Sequence, residues 1–600
     1  MLFLVPSVFL FYATFYGVGY LAQGVLRLGI RRDAGLTAFL GVCFSAIFFS
    51  MAQFFTPLNV TTLLCVLAVG IWGIVASVTA AGCSVLDLVK GKKEGVLVDI
   101  LLLPILCAYI SSFEEVVWSD TLLYHSSIVS WLNFSKIVPG LANLHFRLGT
   151  NSAYLILAAG IDVGPFDKYS SSILPCCFWF ITLKYLFRLI CDGDVSKNFK
   201  LFLAVFTTGF IIASKYWIDP NLYYDISSMT FAAIIFIELL LRYQELFGEK
   251  GTSNDVLFIF ATMSFAIKQT GAIMVVAVFV LGLYDMVKAK GTPLKFARFV
   301  AVPLVFGIVY IARNIIQTGC PLFPLQILAV DLKWTSREAA QGCFDAAKYY
   351  ARLSGPEFMQ AKNHGFLFWF IPWLKRNTSN YYTIYLTSLL ISLFLSIKVL
   401  LVKKLHGKKL SGFLSAEGLL LATLAYWFMT APEFRFVSIY AFLILSVACY
   451  FAEAEKSTYL PFILLVINVA VTSEFRQRVF SRNFLADNYI WMVWFALAGT
   501  VLYRLHPSCK ESRRIMLFQL LFFFFFVPHG KNLGTYPAAV GSLPVKKIVL
   551  KNGQTPPLEV YVPKEGDECG DAPLPCTPYP NDELRLIVPG DITKGFYIGE

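Results

Sequence analysis

Asp120 is the residue in this sequence best suited to proton chemistry at a membrane face. It stands in Ser119-Asp120-Thr121-Leu122-Leu123-Tyr124-His125, just after Glu114, Glu115 and Trp118, and the polar segment runs on through Pro139, Gly140, Asn143, His145 and Arg147. A carboxylate at the lipid–water boundary can take a proton from an acceptor hydroxyl while the other substrate keeps its lipid tail in the bilayer. His125, His145 and Arg147 would then face a phosphate or a developing leaving group, with Arg as the bidentate partner. Each residue also has a plainer reading. Asp120 suits a helix cap for the run 121–130, and the histidines and Arg147 suit interfacial side chains bonded to loop backbone.

Further polar residues converge on the same face by topology: Asp219 and Asp225 around Pro220, Lys268 in Ile267-Lys268-Gln269, Arg313 beside Asn314, and Arg435 in Pro432-Glu433-Phe434-Arg435-Phe436. A lysine within the apolar zone costs about 2.5–3.5 kcal/mol unless paired or snorkelling, so Lys268 calls for a role. Three acids (Asp120, Asp219, Asp225) and three cations (Lys268, Arg313, Arg435) form a set able to grip an anionic lipid-phosphate donor and activate an acceptor. Asp219 with Asp225 is the pair that admits a divalent cation, against the competing reading of a solvated turn. No P-loop, dinucleotide glycine fingerprint or zinc-protease His-Glu-x-x-His occurs, which leaves soluble nucleotide chemistry without support.

The elements that must position these residues are membrane spans. The chain has 600 residues, 57% hydrophobic and 15% charged, where soluble proteins carry about a quarter charged. Apolar runs long enough to cross the hydrocarbon recur to Pro528, about sixteen of them, centred near residues 12, 46, 71, 105, 181, 208, 237, 262, 279, 305, 391, 421, 444, 465, 498 and 521. Basic clusters fall on alternate loops, from Arg27/Arg31/Arg32 through Lys288/Lys290/Lys295 to Lys510/Arg513/Arg514. Short basic loops stay cytoplasmic, so the N-terminus and the tail face outward with the long segments 113–170, 314–380 and 529–600. The net charge of +12 is topology signal and attraction to anionic lipid, not a mark of nucleic-acid binding. The first run lacks a basic n-region and a clear cleavage site, and reads as a retained span.

Within 113–170, the apolar stretch 128–138 and the run 153–161, too short to span, read as helices lying along the membrane plane. Trp334-Thr335-Ser336 predicts a capped amphipathic helix, and Phe366 to Leu374 another interfacial piece. In the tail, alternation near Lys547 and Leu558 predicts strands. Four of the thirteen cysteines fall in outer segments. Cys569 with Cys576, and Cys320 with Cys343, are the pairings that an oxidising compartment favours.

The chain resembles the type C glycosyltransferases, many-spanning enzymes that use polyprenyl-phosphate sugars, and more narrowly an incompletely characterised bacterial group of them. The likeness rests on 119–125, on Val138 to Ser152, on Arg313-Asn314 with Gly319 to Pro324, and on Cys569 to Pro578, and it extends over residues 97–600. It implies an inverting transfer with Asp120 as general base and Lys268, Arg313 or Arg435 on the donor phosphate. In the family pattern the acidic loop often follows the first span. Here three further spans precede it, either as an added module or through a displaced assignment.

The resulting expectation is an all-α polytopic membrane protein with three regions: N-terminal helices 1–96, a glycosyltransferase-like domain 97–528, and a small disulfide-bearing extracytoplasmic appendage 529–600. It would work at the outer face of a bacterial inner membrane, moving a sugar from a polyprenyl-phosphate donor to a glycan, lipid or protein acceptor. The alternatives are a flippase or exporter of lipid-linked oligosaccharide, whose cavity would open to both faces, and a glycan ligase or polymerase using Arg and His without an essential acid.

Overall fold

The computed structural model describes residues 536–599 and residues 2–452, the latter apart from 32, 82–92, 112, 114, 117–118, 193–194, 215–218, 244–251, 356, 379–381 and 403–406. The spans expected near 465, 498 and 521, with Glu114 and Trp118, lie outside the described residues. Every expected centre from 12 to 444 falls inside a helix. Among the described residues eight helices are long and apolar enough to cross a membrane, and the protein is membrane-embedded and mostly helical.

In chain order the helices are α1 (Leu4–Val25), α2 (Ala34–Ala52), α3 (Val60–Ala81), α4 (Lys93–Ile110), α5 (Ser126–Phe134), α6 (Ala153–Ile161), α7 (Ser170–Cys191), α8 (Lys197–Ser214) and α9 (Asp225–Tyr243). They continue as α10 (Asn254–Ile267), α11 (Ala272–Lys288), α12 (Pro293–Thr318), α13 (Arg337–Arg352), α14 (Phe366–Thr378), α15 (Thr383–Val402), α16 (Gly407–Thr430) and α17 (Ser438–Ala452). Lipid tails give apolar helices little reason to associate, so close backbone approach must supply the contact. Glycines allow it here. Gly17 of α1 lies directly on Gly70 and Gly73 of α3, and Gly19 lies on Thr37 and Gly41 of α2.

At one end of the bundle a buried ion network ties the α1–α2 loop to α7, α9 and α10. Arg31 pairs with Glu238 at 3.0 Å, whose other donors are the Tyr185 hydroxyl at 2.8 Å and the Thr252 hydroxyl at 2.6 Å. Asp33 caps α2 through the Leu36 N–H and lies 3.5 Å from Arg188. Each carboxylate there has a guanidinium within ion-pair distance, the condition under which buried ions are tolerated.

The long segments collect at the opposite end. Helices α5 and α6, expected along the membrane plane, are covered by protein. The run 153–161 is buried throughout and α5 nearly so, because α6 inserts against α2, α7 and α10 while α5 packs on α6. Both are apolar enough for an interface, and burial against protein satisfies the same requirement.

The tail is docked, not free-standing. Its hairpin β1 (Val545–Val549) and β2 (Glu559–Pro563) is antiparallel, and β3 (Leu584–Leu586) pairs with β4 (Phe596–Ile598). The Gly570 N–H donates to Leu122 O at 2.7 Å, the Phe596 N–H to Pro139 O at 3.0 Å, and the Thr577 hydroxyl to Leu144 O at 2.9 Å. The Cys569–Cys576 disulfide is present. The second expected bridge is absent: Cys320 and Cys343 are free thiols. Cys320 is fixed in the turn after α12 and packs with Ala142, Phe323 and Ala340, while Cys343, a turn further along α13, only borders that cluster.

Gly17→Ile would drive a side chain into the Gly70 carbonyl and part α1 from α3. The expected loss is about 1–3 kcal/mol, read as a lower unfolding midpoint in detergent. Gly24→Ala, which meets nothing, should leave the midpoint unchanged or slightly higher.

Candidate functional site

Asp120 sits at the start of a one-turn π-helix, Thr121–His125, that runs directly into α5. The wider turn leaves backbone groups for outside partners, a feature frequent at functional sites. Leu122 O takes the Gly570 N–H, the Ser126 hydroxyl lies between Thr121 O at 2.8 Å and Gly570 O at 2.9 Å, and the Thr121 hydroxyl accepts the Leu222 N–H at 3.1 Å. The turn is thereby held by both the tail and the loop before α9.

Three further turns bring cations to this carboxylate. Arg147 comes from the 3-10 turn Phe146–Gly149. Arg435 comes from the turn Phe434–Phe436 between α16 and α17, which is fixed by indole N–H bonds from Trp373 to Pro432 O and from Trp427 to Glu433 O. Lys268 occupies the break between α10 and α11 in extended backbone.

Arg147 Nη1 lies 3.0 Å from Asp120 Oδ1, and Arg435 Nη1 lies 2.9 Å from Asp120 Oδ2. Each guanidinium therefore holds one oxygen of the same carboxylate. Arg147 also covers the Tyr124 ring at 5.2 Å, and Arg435 covers Tyr223 at 5.6 Å and Phe436 at 4.9 Å. Lys268 is ion-paired with Asp225 and sits 3.2 Å from the centroid of the Phe436 ring, which thus lies against both Arg435 and Lys268.

The side chains of Asp120, Arg147 and Arg435 remain 13%, 29% and 26% exposed, enough for a ligand to reach the ion bridge. Burial alone would raise the Asp120 carboxyl, but the neighbouring Arg435 and Arg147 guanidiniums overcome it and hold the group well below the usual carboxylate range. Burial opposes the charge of Arg435, and Asp120 more than restores it. Arg147, Arg435 and Lys268 against Asp120 and Asp225 leave one positive charge in excess.

Not every expected residue joins this set. His125 is 1% exposed and lies among Tyr124, Tyr223 and Tyr224. His145 is buried against Phe146 and Tyr579. Burial pushes both imidazoles down to about 3, so each is neutral and neither offers a phosphate a cation. Asp219 accepts the Tyr109 hydroxyl at 3.0 Å, while Asp225 is engaged by Lys268. Among the described residues no group of three or more His, Cys, Asp or Glu side chains could hold a metal ion. Arg313 lies apart from the Asp120 bridge, bonded to Asn151.

Sequence reasoning did not assign roles to Tyr124, Tyr223 and Phe436, although each neighbours a residue it singled out. Gly570 stood in the Cys569–Cys576 loop that the sequence singled out, but its contact with the Asp120 turn was not signalled.

The model of a family described as a domain of unknown function, DUF8201, matches residues 1–442. The chain belongs to this family. The DUF8201 match runs unbroken from α1 through the Asp120 segment to the Arg435 turn, so both partners of Asp120 fall inside it. No curated protein and no solved structure matches the chain.

The two neutral histidines make stability depend on acid. Unfolded imidazoles protonate near 6.5, so between that pH and about 3 the unfolded chain binds more protons and the fold weakens as pH falls. Each contributes a slope of about 1.4 kcal/mol per pH unit. Unfolding midpoints measured from pH 7.5 to 5 should fall less steeply in His125→Phe than in the wild type; equal slopes would contradict the burial argument.

Proposed function

We propose that this protein is an inverting membrane glycosyltransferase that moves a sugar from a polyprenyl-phosphate carrier to a glycan, lipid or protein acceptor of a bacterial envelope. In this reading the outer face of the inner membrane is the working side. The observation that carries the proposal is the Asp120 carboxylate shared between Arg147 and Arg435 at the end of the bundle where the long segments gather.

As it stands, Asp120 is a poor base because two guanidiniums stabilise its anion. A donor phosphate competes for the same forks, since Arg binds phosphate and carboxylate with one geometry. Once Arg147 and Arg435 turn to the phosphate, Asp120 loses part of its stabilisation and gains proton affinity. The acceptor hydroxyl then gives its proton to Asp120 while its oxygen attacks the anomeric carbon from the face opposite the phosphate. The anomeric C–O bond breaks, its electron pair stays on the phosphate oxygen, and the arginines with Lys268 stabilise that charge. Asp120 returns the proton to water. Arg31 and Glu238, at the other end and fully matched in charge, take no part.

The test is transfer from polyprenyl-phosphate sugars by protein reconstituted in bilayers. Asp120→Asn should lower turnover about 10²–10⁴-fold while the protein still binds donor. Arg435→Gln should weaken donor binding as well as turnover. Wild-type transfer by the Asp120→Asn protein would remove the base from the mechanism and the reading with it.

A further inference from the structure

Arg313 differs from the other buried arginines described here. Its side chain is 1% exposed on the inward face of α12, in line with Phe306, Tyr310 and Gln317. Its one hydrogen bond is from Nε to Asn151 Oδ1 at 3.3 Å, and Nη1 has no partner. Among the described residues, neither a carboxylate nor any other charge lies close enough to act on it. Arg31 has Glu238, and Arg147 and Arg435 have Asp120. Arg313 has an amide.

Its surroundings are polar but unsatisfied. Asn151 spends its own N–H on Tyr310 O at 3.1 Å, and Asn314 donates to Pro321 O at 2.9 Å. Asn314 Oδ1 and Gln317 Oε1, on the next positions of the same helix face, are buried without donors. Water can satisfy carboxamide oxygens. It cannot neutralise a guanidinium taken out of bulk solvent, whose burial costs several kcal/mol unless an opposite charge accompanies it. No side chain among the described residues supplies that charge, which leaves the place open to an anionic ligand.

We infer that Arg313 and Asn151 form an anion site, separate from the Asp120 bridge, that takes a phosphate group, either as a lipid headgroup or as free phosphate. A planar guanidinium with an open Nη1 suits a tetrahedral oxyanion. Asn151 lies four residues beyond Arg147 on the same segment, so an anion held here would also brace the turn that delivers Arg147 to Asp120. The inference does not depend on glycosyl transfer, because it rests on charge balance alone.

The test follows thermal unfolding of the full chain in two arms. In zwitterionic detergent, inorganic phosphate is compared with chloride at matched ionic strength. In phosphatidylcholine bilayers, the comparison is with and without phosphatidylglycerol. Wild type should be stabilised by the anion in at least one arm, as any ligand specific to the folded state requires; a response to phosphate alone assigns a soluble anion, and one to phosphatidylglycerol alone a lipid headgroup. Arg313→Met should show neither response and should be no less stable than wild type when the anion is absent. Gln317→Glu places a carboxylate one turn from Arg313; it should raise the anion-free midpoint and abolish the response. The site is overturned if wild type responds in neither arm, or if Arg313→Met responds as wild type does.

Discussion

A single carboxylate shared by two guanidiniums organises this end of the molecule. Asp120 belongs to the π turn before α5, Arg147 to the loop before α6, and Arg435 to the turn between α16 and α17. The bridge therefore joins residues separated by 315 positions. Removing Asp120 would leave two partly buried guanidiniums without this partner, an arrangement that costs more than the pair itself contributes. The fold responds by fixing each turn independently of the ions: Gly570 and Leu222 hold the Asp120 turn, and two indoles hold the Arg435 turn. A ligand can thus displace the ion contacts without undoing the backbone that presents them.

What the sequence made legible follows from what membranes demand locally. An apolar run of span length has to be helix, because lipid offers its backbone no other partners, and each expected centre from 12 to 444 lies in one. Asp120, Lys268 and Arg435 stood out because charge in an apolar chain must be compensated. The identities of the compensating groups were not legible, since pairing depends on which turns meet in space. His125 and His145 look like ligands in a list of residues, but burial among rings of Tyr124, Tyr223 and Phe146 takes their charge away. Cys320 sits inside an apolar cluster that Cys343 only borders, and the two remain free thiols, a placement that spacing cannot convey. The docking of Gly570 on Leu122 crosses the whole chain and left no local trace.

Charge balance also separates scaffold from site. Around Arg31, the carboxylate of Glu238 is saturated by a guanidinium, a phenol and a hydroxyl, with Asp33 close by. Such a set has its charges paired, and its position between α2, α7, α9 and α10 suits it to fixing helix ends. At the other end the accounting is open. Three cations face two carboxylates around Asp120, and Arg313 faces none.

An excess of positive charge in a half-buried place is unfavourable without an anion, and this would give the proposed phosphate ligand its affinity without new structure. Under the proposed mechanism, the same excess would let a carboxylate held far below its usual range serve as a base at neutral pH. Its low proton affinity belongs to the empty state, in which both arginines are spent on it. In the proposed transfer, a phosphate that claimed them would draw the arginines' stabilisation away from the Asp120 anion, and the substrate itself would switch the base on. Lys268, already matched by Asp225 and seated on Phe436, keeps its place through that exchange and holds the local charge positive while the arginines move.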